Sequence, residues 1–156
     1  MPCPAFSSPG VVSHIMSIYL DTSVIVAYYC PEALSLRVQD LLREHAKPAL
    51  SLLTELEFTS AVAKKVRMKE LGSVDGNRIL AKFISHVDAG FFRIIPVENH
   101  HWQLARGWIG LFTTPLRTLD ALHLAIASSE ELQLVTTDKS LFQAAGMLDL
   151  GARLLV

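Results

Sequence analysis

Cysteine is nearly absent from this chain, which has only Cys3 and Cys30 in 156 residues. Two cysteines form neither a metal-ligand motif nor a disulfide framework, so we expect a protein of a reducing compartment, the cytoplasm. No apolar run is long enough to span a bilayer. The sequence also lacks a glycine-rich phosphate loop, a nucleophile elbow and an internal repeat. These absences argue against several common enzyme and binding-protein classes before any motif is considered.

Charge is scarce as well. Charged residues make up 19% of the chain and hydrophobic residues 51%, and the formal net charge is -1. This composition is typical of a folded chain, and the length fits one domain with a substantial core. Because there is no basic excess, any attraction to nucleic acid must be local or must come from metal ions. The apolar excess favours a covered face, either in a homodimer or against a partner protein.

The first fifteen residues differ from the rest of the chain. They contain three prolines and a glycine, and they lack the basic start and apolar middle of a signal peptide. We expect residues 1–15 to form a flexible extension and residues 16–156 to form the folded domain. Translation could begin at Met16, which the intact mass of the natively expressed protein would test.

Short apolar strands alternate with helices along the folded part. We predict strands at 17–20, 49–53, 91–97, 132–137 and 153–156. We predict helices at 22–29, 33–44, 54–69, 75–87, 98–111, 119–131 and 139–145. Strands that are apolar on both faces and separated by helices are typical of a parallel sheet covered on both sides. Right-handed crossovers then bring the carboxyl ends of the strands to one edge, where such folds place their sites.

The longest of these predicted helices, at 54–69, carries an apolar stripe. Leu56, Ala61, Val62 and Val66 lie on or near it, and basic residues supply the opposite face. We therefore expect this stripe to face the core.

Four acidic residues occupy comparable places at the predicted edge. Asp21 follows the first strand, and Glu57 lies in the first turn of the helix after the second strand. Asp120 lies in the first turn of the helix after the loop at 113–115, and Asp138 follows the fourth strand. Taken singly, each has a structural explanation as a helix cap, a capping box with Thr54, or a complement to a helix dipole.

Taken together, the acids indicate a metal site. Carboxylates a few Å apart in low dielectric repel one another by several kcal/mol per close pair, and a divalent cation removes that cost. A ligand set made only of oxygen favours Mg²⁺ or Mn²⁺ over zinc. Such a site can activate water and stabilise the charge of a phosphodiester during cleavage.

Several neighbouring residues are candidates for supporting roles. The hydroxyls of Thr22, Ser23 and Thr136 stand beside the acids as orienting groups. Arg117 could meet a phosphate, although an arginine at such a place is more often simply solvated. His123 is one turn into the helix of Asp120 and could face the site, although such a histidine more often packs at a helix surface.

Four segments of the chain form an ordered set: Tyr19–Ser23, Thr54–Glu57, Pro115–Ala125 and Thr136–Asp138. This set resembles the PIN-domain family, most closely the VapC-type toxins of bacterial toxin–antitoxin pairs. The likeness runs from about Met16 to the end, and its most specific part is at residues 119–125. It implies a three-layer α/β/α sandwich with a central, mainly parallel sheet and a Mg²⁺- or Mn²⁺-dependent endoribonuclease.

The resemblance also assigns roles to residues. It implies that Asp21, Glu57, Asp120 and Asp138 are the metal ligands and catalytic acids. Glu55 competes for the second position, and we prefer Glu57 because it stands just before a small, apolar segment. Thr22 or Ser23, together with Thr136, match the family's hydroxyl positions near the metal. An RNA substrate, a homodimer and a cognate antitoxin whose tail enters the acidic groove are implied as well.

Two other functions fit an acidic pocket in a small α/β protein. A receiver-like phosphoacceptor would form a stable acyl-phosphate on one aspartate when incubated with a small phosphodonor. A non-catalytic module would bind a basic peptide in the acidic groove and show no metal-dependent cleavage. The spread of the acids over helix starts along the chain, including Asp120, favours the nuclease over the receiver.

Overall fold

The computed structural model describes residues 16–156, so the predicted extension at 1–15 lies outside the described residues. Within them, strands and helices alternate as expected. The strands are β1 Ile18–Leu20, β2 Ala49–Ser51, β3 Arg93–Ile95, β4 Gln133–Thr136 and β5 Ala152–Leu154. The helices are α1 Thr22–Tyr29, α2 Ser35–Glu44, α3 Leu52–Arg67, α4 Ser73–Asp88, α5 Asn99–Ile109, α6 Thr118–Ser129 and α7 Lys139–Met147.

The five strands form one parallel sheet in the order β3-β2-β1-β4-β5. The chain builds outwards from β1 through β2 to β3 and then crosses to β4 on the other side of β1. In register, Leu20 of β1 lies opposite Val135 of β4. The strand order therefore reverses between β1 and β4, and the carboxyl ends of these two strands flank the crevice where open α/β sheets bind ligands.

Two apolar cores lie on opposite faces of the sheet. Ile18 and Leu20 point to the face covered by α1, α2, α3 and α4, with Phe58 and Phe83 among its buried side chains. Tyr19 points to the other face, which α6 and α7 cover. Side chains alternate along a strand, so this division follows from the pleat. The expected three-layer α/β/α sandwich with a parallel sheet is confirmed.

The start of α3 differs from the prediction. Strand β2 ends at Ser51 and the helix begins at Leu52, because Ser51 and Thr54 form a reciprocal capping box. A capping box between Thr54 and Glu57 is therefore wrong, and Glu57 lies in the second turn rather than the first. Its carboxylate is left available for other contacts.

The inward face of α3 also differs in part. Thr54, Phe58 and Val62 are buried at intervals of four residues. Leu56 lies two residues from Phe58, on the far side of the helix, and is 71% exposed. The prediction that Leu56 faces the core is wrong. No helix within residues 16–156 has the length and hydropathy needed to cross a membrane.

Candidate functional site

Asp21 stands at the carboxyl end of β1, in the N-cap position of α1. Its side chain makes no cap bond to the helix. It instead accepts hydrogen bonds at Oδ2 from Ser23 Oγ (2.7 Å) and from Thr136 Oγ1 (2.8 Å). The backbone N–H of Asp21 donates to Val135 O at 3.0 Å. Strand pairing and two hydroxyls thus fix this nearly buried carboxylate beside β4.

Glu57 reaches the same edge from α3. Its Oε2 accepts a hydrogen bond from Thr22 Oγ1 at 2.7 Å and contacts Nε2 of His123. The same Nε2 lies 3.7 Å from Asp21 Oδ1, so one imidazole brings two of the predicted acids together. Glu55 takes no such part in the described contacts, where its backbone carbonyl accepts from Thr59 Oγ1 at 2.8 Å.

The charge state of Glu57 is set by opposing effects. Burial raises the pKa of Glu57, but the hydrogen bond and charge of His123, the hydrogen bond from Thr22 and the charge of Arg117 together outweigh it. The net pKa lies below the ordinary glutamate value. Glu57 is therefore an ionised carboxylate at neutral pH.

Asp120 and Asp138 meet at the side chain of Arg117. Arg117 Nε donates to Asp120 Oδ2 at 2.8 Å, and its terminal nitrogen Nη2 donates to Asp138 Oδ2 at 3.0 Å. Asp138 also caps α7, because its Oδ1 accepts from Ser140 N at 2.8 Å. Its own N–H donates to Thr136 Oγ1 at 3.0 Å, so Thr136 connects this pair of acids to Asp21.

The pKa of Asp120 is raised by burial and by the other acids. Burial raises the pKa of its carboxyl, and the hydrogen bond and charge of Arg117 lower it. The negative charges of Asp21 and Asp138 raise it further. The net pKa lies above the ordinary aspartate value, with burial as the largest cause and the two neighbouring carboxylates adding to it.

The edge therefore collects all four predicted acids and all three predicted hydroxyl residues. Within residues 16–156, however, no three histidine, cysteine or acidic side chains are already spaced as a metal-ligand group. The four acids instead contact two nitrogen-bearing side chains. Arg117 pairs with Asp120 and Asp138, and His123 contacts Asp21 and Glu57. The oxygen donors fit the chemistry of Mg²⁺ or Mn²⁺, and a cation among them would compete with the Arg117 guanidinium.

Comparison with known proteins identifies the family. The sequence model for the PIN domain matches residues 18–147. The chain belongs to the PIN-domain family. No curated protein matches it.

Solved structures share the fold of this PIN domain. FitAcB of Neisseria gonorrhoeae is 24% identical with a TM-score of 0.66, covering 86% of this chain and 95% of its own. VapBC2 of Rickettsia felis, bound to a DNA fragment from its promoter, is 17% identical with a TM-score of 0.65, covering 90% and 100%. VapC20 of Mycobacterium tuberculosis, a toxin that cleaves the sarcin–ricin loop, is 16% identical with a TM-score of 0.66, covering 82% and 95%.

Sequence reasoning gave too little weight to one residue of this PIN domain and missed two others. His123 does not pack at a helix surface: it is 1% exposed and contacts Glu57 directly. Tyr19 and Ser51 lie behind it, joined by a hydrogen bond of 2.9 Å. A tyrosine in the middle of a fully buried strand was the available signal, because a buried phenol needs a hydrogen-bond partner.

Proposed function

We propose that this PIN domain is a Mg²⁺- or Mn²⁺-dependent endoribonuclease and the toxin of a VapBC-type pair. The observation that carries the proposal is the convergence of Asp21, Glu57, Asp120 and Asp138 at the switch point of a parallel sheet. Four acids from four separate elements serve no common structural purpose there. The toxin role is supported by likeness in fold to FitAcB, VapBC2 and VapC20.

The acids and hydroxyls have different roles at the proposed cation site. Asp21, Asp120 and Asp138 would hold the cation directly or through water, and Glu57 would complete the set. When bound, the cation would activate a water for attack on phosphorus and offset charge on the leaving oxygen. Ser23 and Thr136 orient Asp21, since both of their hydroxyls donate to it.

The hydroxyls of Thr22 and Ser23 have separate roles in this proposal. Thr22 donates to Glu57, and Ser23 donates to Asp21. Each hydroxyl donates a hydrogen bond to its carboxylate and so fixes the orientation of that carboxylate. The pair thus presets two acids from different elements for the same cation.

Arg117 has two roles in this proposal. Its side chain is 73% exposed, so it can leave the acids towards solvent when a cation binds. Once released, its guanidinium is placed to contact an RNA phosphate, with the planar fork that suits phosphate oxygens. The same residue would then neutralise the acids in the metal-free protein and bind substrate in the metal-bound one.

Replacing Arg117 by alanine should tighten Mn²⁺ binding by about 2- to 30-fold, because two exposed ion pairs of ~0.2–1 kcal/mol each no longer compete. Isothermal titration calorimetry measures the change. Arg37→Ala, an exposed arginine of α2, is the matched control and should leave affinity unchanged. Unchanged or weaker Mn²⁺ binding by the Arg117 variant would contradict the competition.

The proposed partners are an RNA substrate, a cognate antitoxin and a second copy of the chain, with the protein acting in the cytoplasm. Exposed apolar side chains, among them Leu56, Trp102 and Phe112, give a partner or second copy surface to cover. No membrane contact is part of the proposal.

Expression in a bacterium, with and without the neighbouring open reading frame, tests the proposed function. We expect growth arrest with discrete new RNA ends, and relief of both when the neighbour is co-expressed. Sequencing of RNA ends identifies the RNA that is cut. Growth without new RNA ends, from protein that is shown to be folded, would contradict the proposal.

A further inference from the structure

His123 lies where the two helical layers meet at the edge of the sheet. It belongs to α6, on one face of the sheet, whereas Glu57 belongs to α3, on the other face. The contact between His123 Nε2 and Glu57 Oε2 therefore passes over the ends of the strands and joins the two layers. A glutamate side chain has several rotatable bonds, so holding its carboxylate in one place needs a fixed partner.

The imidazole is itself fixed from behind. Its Nδ1 lies 2.7 Å from Tyr19 Oη, which lies 2.9 Å from Ser51 Oγ. All three side chains are buried, with His123 and Tyr19 packed at a centroid distance of 5.6 Å. Burial raises the pKa of Tyr19, so its phenol stays protonated and keeps a hydrogen to share. A buried network whose members are all paired is rigid, and it sets the plane of the imidazole ring.

These contacts determine which nitrogen faces Glu57 with a proton. An ionised carboxylate only accepts hydrogen bonds, so the nitrogen that contacts it must donate. Nε2 therefore carries hydrogen whether the ring is neutral or charged. In the neutral ring, Nδ1 then accepts from Tyr19, which in turn accepts from Ser51.

We propose that His123 is a positioning residue that holds the Glu57 carboxylate at the divalent-cation site and is itself held by Tyr19 and Ser51. This inference rests on the proposed metal-dependent function. Groups that hydrogen-bond to a metal ligand fix its orientation, and their loss typically weakens metal binding ~10- to 100-fold. His123 Nε2 hydrogen-bonds to Glu57, whereas its 3.7 Å distance to Asp21 Oδ1 is too long for a hydrogen bond. His123 therefore acts on the cation through Glu57, and its effect must disappear when Glu57 can no longer serve as an anionic ligand.

A double-mutant cycle on Mn²⁺ affinity tests this dependence. Titration calorimetry compares the native protein, His123→Ala, Glu57→Gln and the double variant. We expect His123→Ala to weaken Mn²⁺ binding about 10- to 100-fold, and the double variant to bind within about twofold of Glu57→Gln alone. Two losses that multiply in the double variant would overturn the inference while leaving the proposed function intact. A native protein that binds no Mn²⁺ would overturn both.

A matched control separates positioning from packing. His101 on α5 is also 1% exposed, and its Nε2 has no hydrogen-bond partner among the described residues. His101→Ala removes an equally buried imidazole and should leave Mn²⁺ affinity unchanged. An equal loss of affinity in this control would show that the His123 effect is a general effect of core truncation.

One milder substitution and one spectroscopic measurement keep the test valid if His123→Ala does not fold. Tyr19→Phe removes one oxygen and should weaken Mn²⁺ binding in the native background but not beside Glu57→Gln. Ring ¹⁵N shifts of His123 in the metal-free protein should show a protonated Nε2, independently of any cation. An unprotonated Nε2, or a Tyr19→Phe effect of equal size in both backgrounds, would overturn the inference.

Discussion

Asp21→Asn should reduce RNA cleavage at least about 100-fold and leave the fold intact. Loss of an indirect partner of a metal ligand already costs up to ~100-fold, and this substitution removes the charge of a proposed ligand itself. The fold should survive because the asparagine carbonyl oxygen can still accept from Ser23 or Thr136. Initial rates on a defined RNA with saturating Mg²⁺ measure the loss, and circular dichroism checks the fold.

Asp75→Asn is the control for this variant. Asp75 lies in the first turn of α4 and pairs with exposed Arg78, away from the acidic edge. Its removal changes the net charge by the same amount and should leave the cleavage rate within about twofold, because exposed ion pairs contribute little. Undiminished cleavage by the Asp21 variant that is also insensitive to EDTA would contradict the assigned site.

The largest expected effect on stability is at Phe58. Replacing it by alanine should lower the free energy of unfolding by about 3–5 kcal/mol. The ring is 0% exposed and packs against Phe83 at a centroid distance of 4.8 Å and against Tyr29 at 5.5 Å. Truncation leaves a cavity among these aromatic rings, and such a cavity collapses poorly. Urea denaturation followed by circular dichroism measures the loss.

Leu56→Ala is the matched control on the same helix. Leu56 is two residues from Phe58 and largely exposed, so its truncation should change stability by no more than about 0.5 kcal/mol. The pair of variants thus measures which face of α3 is buried. Equal losses from the two substitutions would contradict the orientation of α3 in the sandwich.

Much of the fold was predictable because its signals are local. The run Ile18–Leu20 is apolar on both faces, as buried parallel strands are, and β1 occupies the centre of the sheet. The end of α4 was also predictable, because the helix stops at Asp88, two residues before Gly90, and this glycine has a φ of +76° that most residues avoid. Alternation of such elements then required a parallel sheet, and the parallel sheet required a common edge for the acids.

The buried face of α3 and the residue at which α3 begins were not predictable in this way. Ser51 reads equally well as the end of a strand or as a helix cap, and it serves as both. Leu56 and Val62 share an apolar character with Phe58, so the hydrophobic pattern alone did not distinguish the inward face. Packing against the aromatic rings of other helices decides it, and those rings come from distant parts of the chain.

The site, like the fold, has features that the sequence predicts and features that it does not. The acids could be placed at one edge because their positions depend on strand ends and helix starts. The pairing of Arg117 with two acids, and of His123 with the other two, depends on side-chain directions that no spacing rule supplies. Those two residues distinguish this site from a bare cluster of carboxylates, because each of the four acids contacts one of them in the absence of a cation.

Cleavage of a defined RNA by the purified native protein tests the central claim most directly. The assay compares EDTA, Mg²⁺ and Mn²⁺, and it analyses the ends of the products. We expect no cleavage in EDTA, restored cleavage with either cation, and no 2′,3′-cyclic phosphate, because in the proposed mechanism water rather than the RNA 2′-hydroxyl attacks the phosphorus. Cleavage that persists in EDTA, or product ends that carry a cyclic phosphate, would contradict a metal-dependent hydrolysis at the acidic edge.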